Sequence, residues 1–297
     1  MAVVITNLEK RKINILNYKN FIKFIFINYF FLNIPAYCDD KGKILAYVAG
    51  CYGCHTSNNN TPFSGRYKIK TKYGTFISPN ITFDPVNGIG SWDFKSFSNA
   101  IAHGISPNAK PYYPVFPYKW YKDLSTKDSL AIFNYIKSLP QSSIKQKSHN
   151  LYFPYNIREF LWIRRILEEK LFKSQTPVIK NKVISEGTYL IKNVGHCGAC
   201  HSPRTIFSIV KNINDLSGRP KSNNNLNDGV PNISNNLNKG IGSWDELDIV
   251  FFLKNGFKPN GDYVESHMSS IIENGTSYLN ENELYKIAKY LLSNYNK

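Results

Sequence analysis

The sequence predicts an all-α chain built from two tandem copies of one helical unit, each of about 100 residues. Two observations predict it. The chain twice spells C-x-x-C-H, as Cys51-Tyr52-Gly53-Cys54-His55 and as Cys197-Gly198-Ala199-Cys200-His201, which uses four of five cysteines and two of six histidines. The same landmarks then recur around each pentapeptide in the same order. KILAYVAGCYGCHTS (43–57) faces TYLIKNVGHCGACHS (188–202), and PNITFDPVNGIGSWD (79–93) faces PNISNNLNKGIGSWD (231–245). The offset carrying Pro79 onto Pro231 also carries Gly104 onto Gly256. Each copy closes on a matching run, 124–140 against 279–294, in which Tyr135 falls on Tyr290.

The elements follow in chain order. Residues 1–38 read as an export signal: basic residues up to Lys23, an apolar stretch from Phe24 to Leu32 broken by Asn28, then small Ala36 before a cut. The stretch is shorter than the roughly 20 residues of a spanning helix, so cleavage is expected, with a signal anchor as the alternative. Cys38, the odd cysteine, is expected to be a spare thiol. The first unit spans 39–140. A helix carrying Ile44, Leu45 and Val48 leads into the first pentapeptide. Asp93 caps a short helix, Phe94 to His103, that Gly104 ends. Ser125 opens another, with Leu130, Ile132, Phe133 and Ile136 at helical spacing and Pro140 beyond its end.

A connector, 141–183, holds one amphipathic helix within Asn156 to Lys173. Its apolar stripe includes Ile157, Phe160, Leu161, Ile163 and Ile166, with Arg158, Arg164, Arg165 and Lys170 elsewhere. That stripe is expected to pack between the two units; lying on a membrane surface is the alternative. The second unit, 184–297, repeats the first, with Tyr189, Leu190 and Val194 leading into its pentapeptide. Few strands are expected.

C-x-x-C-H is the signature of covalent haem attachment. Two thiols two residues apart reach the two vinyl groups of one porphyrin, and the adjacent imidazole binds its iron. A four-thiolate zinc site would need the two pairs far closer in sequence and leaves each His without a purpose. A thioredoxin-like redox pair leaves it idle too. The expected cofactors are therefore two haem c groups, with Cys51, Cys54, Cys197 and Cys200 as attachment points and His55 and His201 as iron ligands. Export agrees, because c-type haem is attached outside the cytoplasm. The net charge of +16 is spread along the chain and partly sits before residue 39, and nothing resembles a nucleic-acid motif.

The opposite face of each iron distinguishes the two halves. The chain has two methionines, Met1 and Met268. Met268 stands at a repeat-defined place and is the expected distal ligand of the second iron. The matching residue of the first half is Phe116, which cannot bind iron. There His103, His149 or a tyrosine could serve, or the iron is open to a small molecule. Trp92 and Trp244 recur in GIGSW, either as propionate donors or as core aromatics.

At these residues the chain resembles the dihaem c-type cytochromes related to cytochrome subunits of bacterial membrane-bound alcohol, aldehyde and sugar dehydrogenases. AGCYGCHTS, PNITFDPVNGIGSWD, YYPVFPY, FPYNIR, GHCGACHSPR and the run from Asn232 to Leu292 carry the resemblance, which covers nearly everything after residue 40. It implies two tandem cytochrome c-like haem domains, proximal His55 and His201, and distal Met268. It also implies electron transfer in the periplasm, between redox partners such as a dehydrogenase and a terminal acceptor, with possible membrane association. Such subunits often carry a third haem domain and a C-terminal anchor, and Met where this chain has Phe116. A haem enzyme acting on a peroxide or sulfur compound at an open first site is the rival expectation.

Overall fold

Helix ends fall where capping chemistry puts them. The computed structural model describes residues 40–57, 61–171, 179–205, 208–210, 212–220, 229–265 and 267–293, so the expected signal segment and Cys38 lie outside the described residues. The first copy comprises α1 (Asp40–Val48), α2 (Cys51–His55), α3 (Phe94–His103), α4 (Tyr118–Tyr121) and α5 (Thr126–Ser138). The connector supplies α6 (Phe160–Leu171). The second copy comprises α7 (Lys182–Tyr189), α8 (Gly198–His201), α9 (Glu246–Asn255), α10 (His267–Glu273) and α11 (Glu281–Leu291). The Asp93 carboxylate accepts from the Ser96 N–H at 2.8 Å to open α3, and Gly104 closes it. Asp245 with Asp248, and Asn280 with Glu283, build reciprocal capping boxes on α9 and α11.

In each copy the first helix crosses the last at a glycine. An ideal Cβ on Gly42 of α1 would stand 2.4 Å from the Ala131 carbonyl oxygen of α5. On Gly187 of α7 it would stand 2.0 Å from the Lys286 carbonyl oxygen of α11. No side chain larger than hydrogen fits either crossing. Ala46, Ile136, Leu284 and Tyr290 are fully buried around them, in one continuous core that includes residues of both copies. Between Gly187 and Cys197 the second copy has one residue more than the first has between Gly42 and Cys51. A π-turn, Leu190–Val194, absorbs that extra residue. Crossing and pentapeptide thus keep equivalent places despite the insertion.

The copies touch reciprocally. Trp120 of α4 lies on Gly198 of α8, where an added Cβ would meet the indole at 2.4 Å. Tyr278 of the second copy packs on Tyr47 of α1, ring centroids 4.4 Å apart. Asp128 of α5 fastens the joint: its carboxylate pairs with Lys41 of α1 at 2.5 Å and accepts from the Tyr189 hydroxyl of α7 at 2.6 Å. Burial pushes the Asp128 pKa up, but the Lys41 and Tyr189 hydrogen bonds outweigh it and hold the carboxyl below its usual range. Its contribution is therefore full above the unfolded pKa, about 4, and is lost as pH falls through the folded value. Asp128→Ala should cost about 2 kcal/mol at pH 7. Urea unfolding midpoints at pH 7 and pH 3.5 check this: the gap between wild type and variant should shrink in acid.

The all-α expectation misses a small sheet. Strands β1 (Lys68–Thr71), β2 (Gly74–Ile77) and β3 (Asn150–Leu151) form an antiparallel sheet in that order, with Ile69 opposite Phe76 and Gly74 opposite Leu151. Ile69 and Leu151 pack beside a second small cluster of Phe76, Tyr113 and Leu161.

Helix α6 corrects the expectation for its apolar stripe. The stripe faces outward, not between the units. Leu161 points inward, while Phe160, Trp162, Ile163, Ile166 and Leu167 are exposed. The charged side is what meets the body. Glu168 is buried against Lys119 at 2.9 Å and against Arg164, and Arg165 donates to the His103 carbonyl at 2.9 Å with its guanidinium over the Tyr118 ring.

Candidate haem sites

Each pentapeptide histidine is aimed by a backbone carbonyl. His55 Nδ1 lies 2.8 Å from the Pro79 oxygen, and His201 Nδ1 lies 2.8 Å from the Pro231 oxygen. A carbonyl only accepts, so Nδ1 carries the proton and donates it. Nε2 is then left with the lone pair that binds a metal, and the ring orientation is fixed. Burial lowers the pKa of both histidines, which favours the neutral, ligating form.

The prolines are placed by matching hydrogen bonds. The Gly65 N–H donates to the His55 carbonyl at 2.7 Å, and the Gly218 N–H to the His201 carbonyl at 2.8 Å. The Ile81 N–H donates to Phe63 and the Ile233 N–H to Leu216, both at 2.9 Å. Gly65 and Gly218 sit at φ 80° and 76°, and a Cβ there would collide with Pro79 or Pro231. Asn80 accepts from the Thr82 N–H, and Asn232 from the Ser234 N–H, to turn the chain after each proline. The sequence marked the PNI repeat but not its task, since a carbonyl acceptor has no side-chain signature.

The loops leading to Phe116 and Met268 also repeat. Ile105 bridges Pro111 as Phe257 bridges Tyr263, and the Tyr112 N–H bonds to Gly104 as the Val264 N–H bonds to Gly256, each at 2.8 Å. Phe116 and Met268 follow at equivalent places, both half-buried against the core. Phe116 lies against Tyr121 and Tyr112. Of the other candidates, His103 is exposed at the end of α3. His149 is taken up by the sheet: its Nδ1 accepts from the Ile77 N–H at 3.1 Å, with its ring edge-on to Phe76 and Tyr113.

Known proteins match along most of the chain. It is 31% identical over 259 residues to a dihaem cytochrome c-type protein of Cereibacter sphaeroides, covering 84% of each. The chain belongs to the dihaem c-type cytochromes. It is also 33% identical over 265 residues to the cytochrome c subunit of a quinone alcohol dehydrogenase from Gluconacetobacter polyoxogenes, covering 85% of this chain and 55% of that subunit. To the gluconate 2-dehydrogenase cytochrome c subunit of Pantoea cypripedii it is 29% identical over 263 residues, 85% of this chain and 58% of that subunit. No protein-family model matches.

As a dihaem c-type cytochrome it carries two covalently bound haem c groups with iron. The residues around the pentapeptides fit such groups. Neither Cys51, Cys54, Cys197 nor Cys200 is in a disulfide, and burial pushes the Cys51 and Cys197 thiols up to about 12. Several buried polar atoms nearby have no hydrogen-bond partner among the described residues: Ser64 Oγ beside Gly65, Ser202 Oγ after His201, Arg219 Nε and the Tyr290 hydroxyl. Buried polar groups rarely stay unpaired, so these atoms suit a bound group that carries polar atoms of its own. Among the described residues, no cluster of His, Cys, Asp and Glu is arranged to hold a metal by itself. Trp92 and Trp244 are half-buried against the core.

One half-buried residue escaped the sequence reading. His196, just before Cys197, lies against Gly50 of the first motif, and its ring sits edge-on to Tyr121 at 5.4 Å. Tyr121 donates to the Ala49 carbonyl at 2.5 Å. The segments preceding the two pentapeptides thus meet at one aromatic junction, with Tyr121 buried at its centre. The repeat gave no signal for it, because Gly50 stands where the second copy has His196.

Proposed function

We propose that this dihaem cytochrome accepts electrons from a dehydrogenase partner and relays them toward a terminal acceptor in the periplasm. Thioether links form at Cys51 and Cys54 and at Cys197 and Cys200. His55 and His201 are the proximal ligands, and Met268 is the distal ligand of the second iron. The observation that carries the reading is the pair of Nδ1–H···O=C bonds to Pro79 and Pro231, which present both Nε2 atoms as ligands. Haem iron supplies one-electron chemistry; the chain holds it in place, tunes it and shields it. Thioether sulfur raises the potential of the iron it binds, so electrons run from the first haem to the second. Among the described residues, no helix is long and apolar enough to cross a membrane.

Phe116 supports a second reading, in which the first haem is an open catalytic centre for a peroxide or a sulfur compound. Carbon monoxide added to the dithionite-reduced protein separates the two. The relay reading expects low-spin spectra and no carbon monoxide uptake by either haem. Uptake by one haem of the two moves the assignment to the enzyme.

A further inference from the structure

The outward face of α6 is patterned for a copy of itself. Phe160, Ile163, Ile166 and Leu167 are each between 48% and 57% exposed, and Phe153 just before the helix is 78% exposed. Glu159, Ile163, Ile166 and Lys170 recur at i, i+4, i+7 and i+11, the spacing of a two-helix seam. The seam is apolar in the middle and carries opposite charges at its ends. Turned end over end about a twofold axis, it matches itself: Ile163 meets Ile166 of the other copy, and Glu159 meets Lys170, each pair occurring twice. We propose that two copies of this chain pair antiparallel through α6.

A bilayer suits the face less well. The cations Arg164 and Arg165 are turned into the body, where they engage Glu168 and the His103 carbonyl. That leaves Glu159, Glu169 and Lys170 outermost, a mixture that anionic headgroups do not favour. One helix pair makes a modest interface, so association depends on concentration.

Light scattering on the purified full-length holo-protein, from about 1 to about 100 µM at low salt, tests the proposal. Wild type should form a dimer in this range. Ile163→Asp, at an exposed site, should remain monomeric throughout while keeping its haem absorption and helical circular dichroism. Glu159→Lys should weaken the dimer about tenfold, because it turns two attractive pairs into two repulsive ones. The double swap Glu159→Lys with Lys170→Glu should restore it. A wild type that is monomeric at every concentration overturns the proposal, whether or not it sediments with vesicles of phosphatidylglycerol and phosphatidylcholine. So does a dimer that survives both Ile163→Asp and Glu159→Lys.

Discussion

Met268→Ala should lower the higher of the two haem potentials by roughly 100 mV or more, a fraction of the about 0.8 V over which axial ligands tune haem iron. The lower potential should stay where it is. The expectation rests on the equivalent hydrogen-bonded loops, 104–112 and 256–264, that bring Phe116 and Met268 to equivalent places. Only Met268 has a sulfur to offer the iron. The reciprocal change, Phe116→Met, should raise the lower potential and draw the two values together. A potentiometric titration following each haem band separates the outcomes; an upper potential unmoved by Met268→Ala removes that residue from the ligand set and with it the direction of electron flow.

Gly187→Ala should destabilise the protein by about 3 kcal/mol or more. The added methyl would sit 2.0 Å from the Lys286 carbonyl oxygen, a backbone atom that cannot swing aside. Relief requires α7 and α11 to separate, which opens the packing around Leu284, Ala288 and Tyr290. Gly42→Ala should act in the same direction at the α1–α5 crossing, where the approach is 2.4 Å. Gly53→Ala is the control. Nothing lies within 4 Å of a Cβ there, and the second motif already holds Ala199 at the matching position. Thermal unfolding of the three variants should rank Gly53→Ala near wild type and both crossing variants far below; equal midpoints would show that the helix crossings tolerate side chains.

Local chemistry explains which features were legible beforehand. Asp93, Gly104 and Ser125 mark helix ends because their side chains, or the lack of one, act within a few residues. The haem motifs are equally local. The carbonyls of Pro79 and Pro231 were not readable, since every residue has such an oxygen and only the fold decides which one meets His55 or His201. Periodicity showed that α6 has an apolar side but could not say where the body lies. The burial of Glu168 against Lys119 decides that, through a charge distant in sequence. The sheet was missed because its strands are short, although Lys68-Ile69-Lys70 alternates and Gly74 marks where Asn150 approaches closely. The π-turn follows from one extra residue before Cys197, which shows only when crossing glycine and pentapeptide are compared together.

Peptide mass spectrometry of the purified holo-protein tests the central assignment most directly. Two haem-bearing peptides should appear, one spanning residues 51–55 and one spanning 197–201, each heavier by one haem and with both cysteines consumed. Recovery of either segment as unmodified peptide with free thiols would contradict it.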